Sequence, residues 1–354
     1  MNSKLFTKFS RMKAHEEPRR TTEENKRLDE DFSSISQGHI PTAVEIRERF
    51  NQHWSKKFLK QEILSVSSLG EGSQHQLELV ELANHSKWVC KQFFTQTWLG
   101  EIEDSTLQFT ESIAATVAKR IGITFAAYRE GDKSVFSVRN KRAIIIPYCE
   151  GQLLTSFTEQ QAFILGGVLA RLHCLKLPTD NGKPFPPVTL YDKCDLPEWL
   201  KELTQECNGN SCYQADQWVL SHRDIHTGNI IWRSKEKPHL LDWESTGLIH
   251  PTIELIGLAE NCAGLAHCDF QEKNFIATLM GYGEFARKLP KVDAKLWRLS
   301  FHSWLLWYSY CLRQNWLEEA CQTLEVIVDI KKKLSEMNKL YSDCYSFFGN
   351  TRVC

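Results

Sequence analysis

The stretch SHRDIHTGNII (residues 221–231), followed by LLDWE (residues 240–244), decides the fold of this chain. Within it, four residues separate the carboxylate of Asp224 from the amide of Asn229. A second carboxylate, Asp242, closes the pattern. The order of these three polar groups along the chain indicates both the local fold and the chemistry.

The spacing between these groups predicts a β-hairpin. The apolar run 230–232 has the composition of a strand, residues 235–238 form a polar turn, and residues 239–241 form the returning strand. A hairpin brings its two ends together, so we expect Asp242 to lie beside Asn229.

Phosphoryl transfer requires little covalent chemistry from a protein: it needs a carboxylate near the acceptor hydroxyl and oxygen ligands for magnesium. Asp224 meets the first need, and Asn229 with Asp242 meets the second, because Mg²⁺ prefers oxygen donors. Turn capping is the ordinary role of single Asp and Asn residues in loops. The hairpin spacing and the flanking apolar strands favour the catalytic interpretation.

This motif resembles that of the aminoglycoside phosphotransferase and choline kinase superfamily, whose members are small-molecule relatives of the protein kinases. The resemblance implies an α+β, bilobal protein-kinase-like fold with an antiparallel-sheet N-lobe and a mostly helical C-lobe, which binds ATP and Mg²⁺ between them. It also implies that Asp224 is the catalytic base, that Asn229 and Asp242 hold the metal, and that His222 buttresses the loop.

Two residues depart from the superfamily pattern. Arg223 stands where the small-molecule enzymes usually carry a small residue, and Thr227 stands where they usually carry Pro. Both give the loop a protein-kinase character. A protein kinase is nevertheless disfavoured, because Asp242 precedes Trp243-Glu244 rather than Phe-Gly, and no Ala-Pro-Glu closes an activation segment.

Upstream, residues 65–80 read as strand, glycine loop and strand. Gly70 and Gly72 allow backbone amides to approach phosphate oxygens, and Ser73 adds a hydroxyl donor. A Gly-x-Gly alone is also typical of ordinary hairpins. Its place before the alternating segment 87–93 favours a phosphate-binding loop.

Lys91 falls on the third predicted strand. In kinase-like folds such a Lys contacts the α- and β-phosphates and pairs with a Glu on the following helix. Apolar spacing predicts that helix over 105–120, with Gly122 ending it. The resemblance makes Glu111 the partner of Lys91, and the alternative for Glu111 is a solvated surface position.

The β-branched strand 142–147 stops at a proline and precedes the segment 148–151, which resembles the hinge between the lobes. In the resembling families, main-chain groups of the hinge hold the adenine edge. Tyr148 and Cys149 are the candidates here. Inert packing is the alternative for Cys149.

The acceptor site is expected in the C-terminal half, which is rich in aromatic residues. Trp304, Trp307 and Tyr308 are candidates for a cation-binding wall, and Glu244 for a contact with a cationic acceptor. Aromatic residues at helical spacing are also typical of a core. Glu254 stands where the superfamily often has an Asp that braces the catalytic loop.

Composition bounds the class of protein. The 354 residues are 42% hydrophobic, which is ample for a two-lobed catalytic unit, and the net charge of -1 argues against a nucleic-acid-binding surface. The 12 cysteines contain no C-x-x-C pair, and scattered thiols suggest a reducing, cytoplasmic setting. No apolar run reaches membrane-spanning length.

The chain is expected to comprise a flexible tail over 1–40, an N-lobe with a leading helix over 41–147, a hinge over 148–151, and a helical C-lobe over 152–354. The predicted function is ATP-dependent transfer of the γ-phosphate to a hydroxyl of a small, amine-bearing molecule. Two alternatives stay open: a pseudokinase or scaffold that binds nucleotide without turnover, and a kinase that acts on protein. The sequence leaves the oligomeric state open.

Overall fold

The computed structural model describes residues 53–71, 75–190, 196–209 and 217–350. The predicted tail, the start of the leading helix, Gly72 and Ser73 lie outside these ranges. The chain divides into two compact units, Met1–Glu62 and Ile63–Cys354. In the first unit, the described part of the leading helix is α1 (Trp54–Leu59), which ends at Lys60 in a left-handed conformation.

The second unit begins with the elements of the N-lobe. These are β1 (Ile63–Glu71), β2 (His75–Leu82), β3 (Lys87–Phe93), β4 (Gln96–Thr97), β5 (Gly100–Glu101), α2 (Asp104–Ile121), β6 (Phe136–Val138) and β7 (Lys141–Pro147). Five of the strands form one antiparallel sheet in the order β1-β2-β3-β7-β6. The predicted sheet and the place of Lys91 on its third strand are confirmed.

Helix α2 forms because its apolar residues recur at helical spacing on one face. Leu107 packs in a small core with Phe93 of β3 and Ile144 of β7. The helix ends where Gly122 adopts φ 65°, a left-handed conformation that glycine reaches without steric cost. The observed helix extends one residue beyond the predicted bounds at each end.

The C-lobe is mostly helical. It contains β8 (Gln152–Leu153), α3 (Glu159–Cys174), α4 (Glu198–Asn208), β9 (Val219–Ser221), β10 (Ile230–Trp232), β11 (Pro238–Leu240), β12 (Gly247–Ile249), α5 (Pro251–Cys262), α6 (Glu272–Ala286), α7 (Ala294–Leu299), α8 (His302–Arg313) and α9 (Leu317–Asn350). Small sheets, β11-β10-β8 and β12-β9, support the loops that carry the motif. The α+β, bilobal protein-kinase-like fold is confirmed.

The base of the C-lobe is a tight pair of helices, α3 and α6. Gly166 lies against the backbone carbonyl of Thr278, and Gly281 lies against that of Phe163, so a side chain at either glycine would collide with backbone. Such close contact leaves the two helices little freedom to move relative to each other. Across the described ranges, no helix combines the length and the apolar character needed to cross a membrane.

Candidate active site

The catalytic loop joins β9 to β10, and the side chain of His222 holds it in place through two hydrogen bonds. The His222 side chain is fully buried; its Nε2 donates to the carbonyl of Leu241 at 2.6 Å, and its Nδ1 accepts from the amide of Asp224 at 3.3 Å. Leu241 directly precedes Asp242. The imidazole therefore ties the loop to the returning strand, as a buttress role requires.

The buried side chain of Arg223 connects the same loop to neighbouring segments of the chain. Its Nε donates to the carbonyl of Ser245 at 2.6 Å, its Nη1 donates to that of Lys183 at 3.1 Å, and its guanidinium stacks over Phe185 at 4.5 Å. Burial lowers the pKa of Arg223 to about 10, although Glu254 and Asp224 oppose the change. The departure from a small residue at this position thus has a structural use: the long side chain pins the loop to its surroundings.

Glu254, at the start of α5, braces the loop from the other side. Its Oε1 accepts from the backbone amide of Arg223 at 2.6 Å, and its Oε2 pairs with His173 Nε2 at 2.8 Å. Burial favours the neutral form, but the hydrogen bonds from His173 and from the Arg223 amide outweigh it and keep the pKa of Glu254 below its usual range. Glu254 therefore contacts the catalytic loop directly, through the backbone amide of Arg223.

Removing this brace should destabilise the fold. We expect Glu254→Ala to lower the free energy of unfolding by about 3 kcal/mol at pH 7, because it leaves His173 and the loop amide without their buried partner. The effect should shrink on acidification: a carboxyl whose pKa is depressed by folding stabilises above its unfolded pKa of about 4.3 and stops doing so as the pH falls through its folded value.

Urea unfolding at pH 7 and at pH 3 measures both effects. The matched control is Glu284→Ala, which removes an exposed carboxylate paired with Arg287 and should change little. Equal stability of Glu254→Ala and the wild type at pH 7 would contradict the bracing role.

Asp224 and Asn229 meet directly in the structure. The Asn229 amide nitrogen donates to the Asp224 carbonyl at 3.0 Å and to its Oδ2 at 3.1 Å. This arrangement leaves Asn229 Oδ1 as an acceptor. Burial raises the pKa of Asp224, with Glu244 and Asp242 adding to the effect and His226 and His222 opposing it.

His226 is a site residue that the sequence reasoning missed. Its Nε2 lies 3.6 Å from Asp224 Oδ1, and its Nδ1 accepts from the amide of Gly228. The sequence did contain an indication of this role: His226 follows Asp224 by two residues, and in a tight loop a side chain at that position can reach the carboxylate.

Asp242 lies beside Asn229, as the hairpin spacing predicted. Ile230 pairs with Leu240 across the two strands, and the amide of Leu241 donates to the Asn229 carbonyl at 2.9 Å. Asp242 adopts φ 59°, which turns the chain out of the strand. Its side chain is 38% exposed, and its Oδ1 lies 2.9 Å from Lys91 Nζ.

A buried ionic cluster surrounds Lys91. Lys91 Nζ lies 2.8 Å from each carboxylate oxygen of Glu244, and Glu244 Oε1 also lies 2.6 Å from His75 Nε2. Burial opposes the ionised form of Glu244, but Lys91 and His75 prevail and lower its pKa. Burial likewise opposes the charge of Lys91, but Asp242 and Glu244 raise its pKa. The predicted acceptor contact, Glu244, therefore already has two buried partners.

Glu111 is not paired with Lys91 as predicted. Among the described residues, the carboxylates that pair with Lys91 are those of Asp242 and Glu244. Glu111 does lie on α2, as predicted, and is buried rather than solvated. Burial raises the pKa of Glu111 to about 8, with Glu244 and Asp242 adding to the effect and Lys91 opposing it.

One main-chain group of the hinge is already engaged. The amide of Tyr148 donates to the carbonyl of Lys87 at 2.9 Å and extends the sheet, which leaves the Tyr148 carbonyl for an adenine edge. Cys149 is buried, in line with the packing alternative. An adenine contact through the main chain of Tyr148 and Cys149 stays a prediction.

A cavity of about 870 Å³ gathers the motif residues. Its lining includes Lys91, Asp224, Asn229, Asp242 and Glu244. Trp304 and Trp307 of α8 line it as well. Tyr308 is 1% exposed and belongs to the core, because the turn of the helix directs it away from its neighbour; its predicted place in the acceptor wall is wrong.

Residues 66–279, more than half of the chain, match a known sequence family described as the phosphotransferase enzyme family. The chain belongs to this family. It is therefore a small-molecule kinase, a phosphotransferase with an alcohol group as acceptor. Among curated proteins, none matches this chain.

Solved structures share the fold of this phosphotransferase. A choline kinase from Streptococcus pneumoniae has a TM-score of 0.59 at 15% identity, with 81% of this chain and 99% of that chain covered. An ethanolamine kinase from Plasmodium vivax has a TM-score of 0.56 at 13% identity, with 89% and 95% covered. An amicoumacin kinase in complex with AMP-PNP and Ca²⁺ has a TM-score of 0.57 at 14% identity, with 82% and 96% covered.

The extent of the family match divides the site into two parts. The match includes Lys91, Asp224, Asn229 and Asp242, and it ends at residue 279, within α6. The aromatic wall of the cavity on α8 lies beyond it. The motif residues of the cavity therefore fall within the family match, whereas Trp304 and Trp307 fall outside it.

Proposed function

We propose that this phosphotransferase moves the γ-phosphoryl group of ATP to a hydroxyl of a small, amine-bearing molecule. The observation that carries the proposal is the convergence of Asp224, Asn229, Asp242 and Lys91 on one cavity. These groups come from β3, the catalytic loop and the hairpin, and a base, two oxygen ligands and a cation are what the reaction requires.

Asp224 would orient the acceptor hydroxyl and take its proton. Its Oδ2 is held by the Asn229 amide at 3.1 Å, so the carboxylate has a fixed direction, and its side chain is 28% exposed, so a substrate can reach it. The raised pKa that burial gives Asp224 makes it a better proton acceptor than a free carboxylate.

Asn229 and Asp242 have the donor set for magnesium. The amide nitrogen of Asn229 is engaged by Asp224, which leaves Oδ1 for a metal, and Asp242 adds a partly exposed carboxylate. Oxygen donors of this number suit Mg²⁺, which keeps waters and phosphate oxygens as its other ligands. When bound, the ion would neutralise charge on the β- and γ-phosphates.

Lys91 would hold the nucleotide phosphates from the N-lobe side. Its side chain lines the cavity and is 3% exposed, and its pKa is raised, so it is charged at neutral pH. Gly70 is the second-to-last residue of β1. The phosphate contacts of Gly72 and Ser73 remain predictions from the sequence.

The lining of the cavity also favours a cationic acceptor. It includes Trp304, Trp307 and Glu319, and aromatic faces and carboxylates both attract ammonium groups. The choline and ethanolamine kinases that share the fold act on amino alcohols by name.

Glu260, which the sequence alone did not single out, contacts one of these aromatic residues, Trp304. It is fully buried, its Oε2 accepts from Trp304 Nε1 at 3.3 Å, and its Oε1 has no partner among the described residues. Burial raises the pKa of Glu260 to about 8. The contact fixes the orientation of the indole, and a cation held against Trp304 would favour the charged form of Glu260.

Transfer of radiolabelled γ-phosphoryl from ATP to a panel of acceptors tests the proposal. The panel pairs amino alcohols and amino sugars with neutral alcohols and sugars of the same size. We expect label in the amine-bearing members. Equal labelling of the neutral members would contradict the cationic acceptor, and label in protein alone would contradict the small-molecule acceptor.

We also expect Trp307→Leu to raise the KM for the amine acceptor about tenfold, the equivalent of about 1.4 kcal/mol of lost cation–π attraction, with the KM for ATP unchanged. Trp199→Leu is the matched control, since Trp199 lies on α4 and does not line the cavity. If the Trp307→Leu enzyme had the wild-type KM for the acceptor, Trp307 would not be part of the acceptor site.

A further inference from the structure

We propose that Glu244, supported by His75, is the residue that positions Lys91 for the nucleotide phosphates, in the place that kinase-like folds give to a glutamate of helix α2. The inference rests on the proposed function, since it assigns a role within the ATP site. It makes Glu244 and His75 positioning residues that act through Lys91.

The contacts of Lys91 distinguish its two carboxylate partners. Both oxygens of Glu244 lie 2.8 Å from Lys91 Nζ, and the side chains are 10% and 3% exposed, so this pair is buried and held at two points. Asp242 offers one oxygen at 2.9 Å and is 38% exposed. Because Asp242 is also the proposed metal ligand, Glu244 is the partner left to hold Lys91 when metal and nucleotide are bound.

Glu244 is itself held in place by the neighbouring strand. His75, near the start of β2, contacts Glu244 Oε1 through its Nε2 at 2.6 Å and packs edge-on against Phe93 of β3 at 5.0 Å. Lys91 belongs to β3, next to β2 in the sheet. The carboxylate is therefore tied to two adjacent strands of the N-lobe.

The backbone explains why a residue so close to the metal ligand can reach Lys91. The positive φ of Asp242 turns the chain into a short 3₁₀ turn, Trp243–Ser245. The Trp243 indole donates to Thr124 Oγ1 at 2.9 Å in a buried position, which anchors that turn. The carboxylates of Asp242 and Glu244 consequently meet the same ammonium.

This arrangement changes what helix α2 does. In protein kinases, the pairing of the strand Lys with the helix Glu is the contact that activation controls. Here Lys91 is anchored by the segment that follows the metal ligand, and Glu111 stands outside the ion pairs. The position of Lys91 would then not depend on the charge of the α2 carboxyl.

Calorimetric titration of the full chain with MgATP tests the proposal through a double-mutant cycle. Glu244→Gln should weaken MgATP binding at least tenfold, about the effect of losing one charge-assisted contact. Glu111→Gln, the matched control on α2, should change it less than about twofold, since the carboxylates that pair with Lys91 are those of Asp242 and Glu244. The double variant, Lys91→Met with Glu244→Gln, should bind MgATP with a dissociation constant within about twofold of that of Lys91→Met alone, because Glu244 acts through Lys91.

The outcomes separate the alternatives. If Glu244→Gln weakens MgATP binding as much on the Lys91→Met background as in the wild type, Glu244 does not act through Lys91 and the proposal is wrong. A tenfold loss of MgATP affinity in Glu111→Gln would also overturn the proposal, because it would assign the positioning role to Glu111 of α2. The Mg²⁺ concentration for half-maximal binding should not change in Glu244→Gln. Should that variant not fold, Glu244→Asp keeps the charge with a shorter reach and should show an intermediate loss. A wild-type chain that does not bind MgATP would refute the proposed function itself.

Discussion

Asp242→Ala is expected to abolish nucleotide-dependent turnover. The variant removes a proposed metal ligand that also contacts Lys91 at 2.9 Å. Metal ions supply several kcal/mol of charge stabilisation in such transition states, so we expect kcat to fall by a factor of about 10³ or more. The binding of MgATP should weaken as well, and steady-state kinetics with calorimetry measures both.

Asp343→Ala is the control for this variant, because Asp343 is an exposed carboxylate on α9, away from the motif. It should retain wild-type kinetics. An Asp242→Ala enzyme that consumed ATP at the native rate would refute the assignment of Asp242.

Asp224→Asn is expected to separate chemistry from binding. Asparagine has the shape of Asp224 but cannot accept the proton of the acceptor, so kcat should fall by about 10² to 10⁴. The dissociation constant for MgATP should stay near the wild-type value, since Asp224 is proposed to face the acceptor.

The pair of variants forms its own control. Asp242→Ala should lose both binding and turnover, whereas Asp224→Asn should lose turnover alone. Loss of MgATP binding in Asp224→Asn comparable to that in Asp242→Ala would place Asp224 on the metal instead of the acceptor.

The fold was predictable where the signal was local. The alternation over 87–93 placed Lys91 on its strand, and the apolar spacing before Gly122 placed α2 to within one residue at each end. The hairpin that brings Asp242 beside Asn229 also followed from spacing alone. These elements depend on residues close in sequence, whose conformational preferences are encoded in a short window.

The site was less predictable where it depends on distant contacts. Lys91 and Glu244 are 153 positions apart, and no local pattern tells which carboxylate reaches an ammonium. Glu111 has the right place on α2, but Lys91 pairs with Asp242 and Glu244 instead, and burial raises the pKa of Glu111 to about 8. Trp307 and Tyr308 are neighbours in sequence, yet the packing of α8 sends one to the cavity and the other to the core.

A crystal structure of the wild-type protein with Mg²⁺ and a non-hydrolysable ATP analogue would show whether Asp224, Asn229 and Asp242 form the ATP site. We expect a metal ion bound by Asn229 Oδ1 and an Asp242 carboxylate oxygen, with the γ-phosphate facing Asp224 across the cavity. Nucleotide phosphates bound away from these three residues, or a metal held by other ligands, would contradict this expectation.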